Sequence, residues 1–245
     1  FNDQLQVLYK TVVEAAWMAQ TTGDPEWANK LGEADAAYKL FFSSKETYEK
    51  TKQFLAMENV MEIEKRQLQI LLNEMEANQL PEDVIADLSK RDSELNLIFN
   101  TYSPEVDGKK YSANEIREVL MYSDDQELRK KVWFASKEVG RSVEKGLLEL
   151  VKKRNEAAQL LGYDNHYQMG FALQELDRDE VFALFDDLII QSDEAYRLMK
   201  KDLDERLATK FGIPPEDIRP WHYIDPFFQE APPSESTNTD HFYKA

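Results

Sequence analysis

The stretch DRDEVFALFDDLIIQSDEAYRLMKKDLDERLATKFGIP, Asp177–Pro214, decides the fold class. Val181, Leu184, Leu188, Ser192, Ala195, Met199, Leu203 and Leu207 recur at three or four residues, the spacing that lines up one face of an α-helix. Asp186, Asp187, Asp193, Glu194, Lys200, Lys201, Asp204 and Glu205 fall mostly off that stripe. Asp177 with Glu180 reads as a capping pair at the start, and Gly212 with Pro214 as the stop.

Working outward, a second long element is predicted from about Asp124 to Leu161. Leu128, Val132, Ala135, Val139, Val143, Leu147 and Leu150 form its stripe, Ser123 with Gln126 its capping box and Gly162 its stop. Further helices are predicted from Asp3 to Gln20, Pro25 to about Ser43 and Pro81 to about Tyr102, with a short one from Ser112 to Met121 capped by Ser112 and Glu115. Ser44 to about Met57 and Glu58 to about Asn78 read as two helices or one bent rod, and Asn165 to Glu175 as a short helix. Only Val106–Tyr111, with its Asp107–Gly108 pair, reads as a turn or small hairpin. Prolines sharpen the picture: Pro25, Pro81 and Pro104 are the only ones before residue 214, and the other six lie between Pro214 and Pro233. Since proline interrupts helices, the chain reads as all-α, long packed helices followed by an irregular segment.

Composition narrows the function classes. The 245 residues are 42% apolar and include only 8 Gly, so a sizeable core can form and tight turns are scarce. The 30 Lys and Arg stand against 47 Asp and Glu, a formal charge of −17, which argues against a nucleic-acid partner and against docking on an anionic membrane. No window is long and apolar enough to span a bilayer. The absence of Cys excludes disulfides, thiolate metal sites and Cys nucleophiles, and it does not choose a compartment.

Most catalytic signatures are missing. There is no glycine-rich phosphate loop, no G-x-S-x-G elbow and no H-E-x-x-H pair. His166, His222 and His241 are too far apart in sequence to share one helical face, so no metal site is expected within the chain. Two stretches stand out. Lys152–Ala158 followed by Leu161–Gly162–Tyr163 fits a helix end with an aromatic packing back. Pro220–Glu230 crowds Trp221, His222, Tyr223, Phe227 and Phe228 with Asp225, Gln229 and Glu230. That crowding fits either a loop pinned by aromatic burial or the wall of a ligand cleft.

Read in order, several residues carry a family resemblance. They are Tyr9, Glu14, Ala15 and Trp17, then Leu95, Ile98, Tyr102 and Ser103, then Trp133 with Gly140. Arg154–Ala157, Gly162–Tyr163, the helix ending at Lys210–Phe211–Gly212 and Phe227–Phe228–Gln229 complete the series. From Gln4 to Gln229 the chain resembles the N-terminal half of the angiotensin-converting-enzyme-like peptidyl-dipeptidases, and most closely their bacterial members. The resemblance implies one lobe of a two-lobed, gluzincin-like metallopeptidase whose long helices form a lid over a cleft for short peptides. It implies that residues 1–212 are the lid and cleft lobe and 213–245 a proline-rich cleft-lining segment. It places the zinc, the H-E-x-x-H motif and the general base in a catalytic half outside this chain, making the chain a fragment with no catalytic residue or metal ligand of its own. Gln229 corresponds to a family glutamine that holds the substrate's C-terminal carboxylate. Phe227, Trp221 and His222 would line the same wall. Met169–Gly170–Phe171 stand where some relatives carry an Arg that binds chloride, so chloride activation through that position is not expected. A cytoplasmic location is the working expectation. A lobe of this kind should expose apolar surface on helices 124–161 and 181–211. The competing reading is a non-catalytic helical scaffold or binding module without metal.

Overall fold

The structure, a computed structural model, describes residues 1–225. Among them ten α-helices follow one another: α1 (Asn2–Thr22), α2 (Pro25–Phe42), α3 (Lys45–Leu55), α4 (Glu62–Ala77), α5 (Glu82–Thr101), α6 (Ala113–Tyr122), α7 (Gln126–Lys137), α8 (Val139–Leu160), α9 (His166–Leu173) and α10 (Arg178–Phe211). Between α5 and α6 lies one two-stranded hairpin, β1 (Glu105–Val106) and β2 (Lys109–Lys110), paired antiparallel with Glu105 opposite Lys110. Asp107 (φ 53°) and Gly108 (φ 81°) form its turn, the left-handed pair that a two-residue hairpin requires. The fold is all-α, in agreement with the helical periodicity and the scarcity of Gly and Pro.

The described residues divide into two compact units, one of residues 1–101 with 141–184, the other of residues 102–140 with 185–225. In the first unit α2 packs against both α1 and α5. The seam is made of small side chains: Ala15 and Ala19 on α1, Ala28, Gly32 and Ala34 on α2, and Ser89 and Ser93 on α5 are all buried. A Cβ on Gly32 would lie 2.8 Å from Ser93 Oγ, so the α2–α5 spacing depends on that glycine. α3 pairs with α4, where the Thr51 hydroxyl donates to Met75 Sδ at 3.7 Å and Met75 is fully buried. α8 lies on α5, with Leu95 against Gly146 and Arg154 Nη2 donating to Asp92 Oδ1 at 2.6 Å.

The core of the second unit is Val106, Tyr111, Ile116, Leu120 and Val132, flanked by Val119, Leu128, Trp133, Ala135 and Trp221. Ser112 and Glu115 cap α6 reciprocally, each taking the other's backbone N–H. α10 ends at Gly212 (φ 64°), and Ile213 N–H turns back to the Ala208 carbonyl at 3.1 Å. This is the left-handed stop anticipated from Gly212 and Pro214.

Two features differ from the sequence expectation. The element predicted from Asp124 to Leu161 is two helices, α7 and α8, parted at Glu138, whose N–H tightens onto the Ala135 carbonyl. Val139 and Gly140 follow, both weak helix formers. The cap of α7 is Asp125, whose Oδ1 accepts from Leu128 N–H, and not Ser123, which accepts from Asp125 N–H. A carboxylate directly before the helix reaches its first exposed amides, whereas a hydroxyl two residues further back does not.

The apolar stripes locate the helices better than they locate the core. On α10 only Leu207, Ala208 and Phe211 are buried, whereas Phe182, Leu184, Phe185, Leu188, Ile189, Ile190, Tyr196, Leu198 and Met199 are exposed. On α8 Leu150 is buried, but Leu147, Leu148, Val151 and Leu160 are exposed. No helix of the described residues is long and apolar enough to cross a membrane.

Candidate functional site

Of the four cleft residues drawn from the sequence, Trp221 and His222 lie within the described residues, and Phe227 and Gln229 lie outside them. Trp221 and His222 sit on a short 3-10 turn (Pro220–His222) in the second unit, after the end of α10. Proline at 214, 215 and 220 prevents α10 from continuing, so the chain folds back over α7.

Three anchors hold this turn. The first is Arg129 on α7, which is completely buried. Its Nε donates to the Trp221 carbonyl at 2.8 Å and its Nη2 to the Tyr223 carbonyl at 3.1 Å. Its Nη1 reaches the carbonyls of Ser123 at 2.9 Å and Val119 at 3.3 Å, and its guanidinium lies 4.9 Å from the Phe211 ring centre. Burial pushes the Arg129 pKa down to about 10, against a smaller opposing pull from Asp124; the side chain stays charged at neutral pH. The second anchor is Tyr223, whose hydroxyl donates to Asp204 Oδ1 on α10 at 2.6 Å while Lys200 donates to the same carboxylate. Burial, followed by that carboxylate, raises the Tyr223 pKa. The third is His222, 3% exposed, whose Nδ1 accepts from Arg219 N–H at 2.8 Å and whose ring lies 5.0 Å from that of Phe211. Burial first, then the Arg129 and Arg219 charges, lower the His222 pKa, so the imidazole is neutral and its Nδ1 an acceptor at neutral pH.

Trp221 belongs to an aromatic cluster with Trp133 at 6.1 Å and Phe134 at 5.5 Å, flanked by Lys130 and Lys137 over the indoles. Trp133 Nε1 is a buried donor with no acceptor among the described residues. Such a wall can grip apolar side chains. Aromatic faces with a few fixed polar groups are what ligand-binding walls use. Arg129, the residue that organises it, carries no sequence signal: it stands in an ordinary basic run, Arg129–Lys130–Lys131, and only packing separates it from its neighbours.

The Arg154–Ala157 segment lies in the first unit and bears on the packing there. Arg154 pairs with Asp92, Asn155 Oδ1 accepts from His166 N–H at 3.0 Å, and Ala157 is buried. Asp92, Arg154, Ala157 and Met169 border a cavity of about 250 Å³ with Lys39, Glu74, Asn78 and His166 on its walls. Burial, then Arg154, lowers the His166 pKa. Among the described residues no three His, Cys, Asp or Glu side chains converge on a point that could hold a metal ion. A zinc site draws on three or four such ligands, so the described residues do not fit a zinc ion.

No curated protein matches the chain. The angiotensin-converting enzyme family matches residues 1–218, which takes in every described α-helix. Given a match over most of its length and an all-helical fold that agrees with it, this chain belongs to the angiotensin-converting enzyme family of zinc metallopeptidases.

Proposed function

We propose that this chain supplies the cleft wall and lid of a zinc-dependent peptidase that hydrolyses short peptides and releases C-terminal dipeptides. The family match over residues 1–218 is the observation that carries this reading. In it the zinc and the general base belong to a catalytic half outside these 245 residues, and that half covers the apolar faces left exposed on α8 and α10. Residues 1–212 act as the lid and cleft lobe, and 213–245 line the cleft. Phe227, Trp221 and His222 line one wall of the cleft, and the Gln229 amide donates to the substrate's C-terminal carboxylate. An amide suits that task because it supplies N–H donors without a countercharge.

The test is mass analysis of the products that the full-length enzyme makes from matched free-acid and C-terminally amidated peptides. Successive loss of dipeptides from the free acids is expected. Inactivity toward both kinds would favour a non-catalytic scaffold, and internal or single-residue cleavage would remove the dipeptidase assignment. A lost hydrogen bond to a charged group costs roughly 1.5–3 kcal/mol, so Gln229→Ala should lower kcat/KM on free acids about ten- to a hundred-fold and spare amides. Equal losses on both would make Gln229 a structural amide.

A further inference from the structure

The cavity of about 250 Å³ lies wholly within the first unit, walled by residues of α2, α4, α5, α8 and α9. Much of its wall is apolar, with Leu80, Ile85, Leu88, Leu161 and Met169. Four charged side chains complete it, Lys39 and Arg154 against Glu74 and Asp92. Burial, then Arg154, holds the His166 pKa below its usual value, so that imidazole adds no charge at neutral pH. Two positive and two negative groups therefore border one small space.

These polar groups are not used up on one another. Lys39 is held by Asp35 at 2.6 Å and by Ser89 at 3.3 Å. Arg154 spends only Nη2, on Asp92 Oδ1 at 2.6 Å; among the described residues its Nε and Nη1 make no hydrogen bond. Glu74 is exposed and enters no ion pair among the described residues. Asn78, 7% exposed, donates Nδ2 to the Glu74 carbonyl at 2.8 Å. That bond fixes the sense of the amide and leaves Oδ1 an acceptor without a donor among the described residues. A net anion in this space would stand against Glu74 and Asp92, and a net cation against Lys39 and Arg154. A molecule that carries both an ammonium and a carboxylate meets each group with its opposite. The apolar wall calls for an apolar side chain on the same molecule. The volume is below the roughly 300–1,000 Å³ of clefts that bury drug-sized ligands, so it suits one amino acid and not a peptide.

We propose that this cavity binds a free α-amino acid with an apolar side chain. Its carboxylate takes the spare Arg154 donors, its ammonium donates to Glu74 and Asn78 Oδ1, and its side chain packs on Ile85, Leu88 and Met169. The site draws on no residue of the 221–223 turn and does not depend on the role proposed for Gln229.

The experiment is isothermal titration of the full-length protein with L-leucine, beside glycine, N-acetyl-leucine and leucinamide. Saturable one-to-one binding of leucine is expected, with Kd below about 1 mM. Glycine lacks the apolar contact, N-acetyl-leucine the ammonium and leucinamide the carboxylate, so each should bind about tenfold more weakly or worse. Two variants place the ligand. Glu74→Gln should weaken leucine by about tenfold and leave N-acetyl-leucine unchanged, because that analogue has no ammonium to lose. Arg154→Gln should weaken leucine to a similar degree and leave leucinamide unchanged. If Arg154→Gln does not fold, Glu74→Gln carries the test, since it alters an exposed carboxylate. No saturation by about 10 mM leucine overturns the proposal, as does leucine binding that neither variant weakens. N-acetyl-leucine or leucinamide binding as tightly as leucine in the wild type overturns it too, by removing one of the two charged contacts.

Discussion

The Tyr163 hydroxyl donates to the Glu76 carboxylate at 2.6 Å. Through this bond the loop after α8 is fastened to α4, a link between residues 87 apart in sequence. Burial, and then the Glu76 carboxylate, push the Tyr163 pKa up to about 12.

Tyr163→Phe keeps the ring and removes the bond. A hydrogen bond to a charged group contributes about 1.5–3 kcal/mol when well buried; the half-buried setting here places the expected loss near 1 kcal/mol. Thermal unfolding should show it as a drop of roughly 2–4 °C. A pH series adds a sign. The folded pKa lies above the unfolded value of 10, so this contribution is complete below about pH 10 and disappears as pH rises from 10 to 12. Wild type and Tyr163→Phe should therefore converge in stability across that window, and a constant gap would contradict the assignment.

Gly32 sits where α2 and α5 come closest. Alanine is the better helix former by about 1 kcal/mol, yet its Cβ would stand 2.8 Å from Ser93 Oγ. Overpacking costs typically about 1–3 kcal/mol, so Gly32→Ala should destabilise in urea titration. Gly32→Ala with Ser93→Ala removes the obstructing oxygen and should recover the loss. A stabilising Gly32→Ala alone would show that the seam is looser than described.

His222 ties stability to acid. Burial and the flanking Arg129 and Arg219 depress its folded pKa below 6.5. The unfolded chain therefore takes up a proton that the folded chain refuses, and the contribution is full above about pH 6.5 and lost as pH falls below it. Protonation would also turn Nδ1 from an acceptor into a donor facing Arg219 N–H. His222→Asn retains an acceptor and should flatten the decline in stability between pH 7 and pH 5. An NMR titration of His222 with a midpoint at or above 6.5 would refute this.

The middle of α10 carries exposed apolar side chains, among them Ile190 at 76% and Leu198 at 65% exposure. Monomeric soluble proteins seldom leave patches beyond a few hundred Å² uncovered. The 245-residue chain produced alone should bind a hydrophobic dye and self-associate. Ile190→Lys with Leu198→Glu should reduce both effects in light scattering, with little change in unfolding temperature because neither side chain is buried. Unchanged association would move the sticky surface elsewhere, with the exposed Val7, Val13 and Trp17 of α1 the next to test.

The helices were legible because their signals are local. The stripe at Val181–Leu207, the Ser112–Glu115 box and the Gly212 stop depend on residues within one or two turns of each other, and each has its structural counterpart. The break at Glu138 was not legible, since Val139 continues the stripe that runs through Ala135, and a stripe records period without recording continuity. The Asp125 cap was missed because three capping residues, Ser123, Asp124 and Asp125, stand in a row and only backbone geometry selects among them. Trp221 and His222 drew notice as members of an aromatic-rich stretch.

The sequence by itself determined that this protein is helical and to which family it belongs, since both rest on the order of residues along the chain. Tertiary structure decided which helical faces are covered. Leu188 and Leu207 share one stripe, but Leu207 is buried and Leu188 exposed, because burial depends on what lies opposite. It likewise decided that Arg129, and not Lys130 or Lys131 beside it, becomes the buried anchor. All three carry the same charge in sequence; only Arg129 faces carbonyls brought in from positions 119, 123, 221 and 223, a coincidence of distant backbone groups that no local pattern encodes.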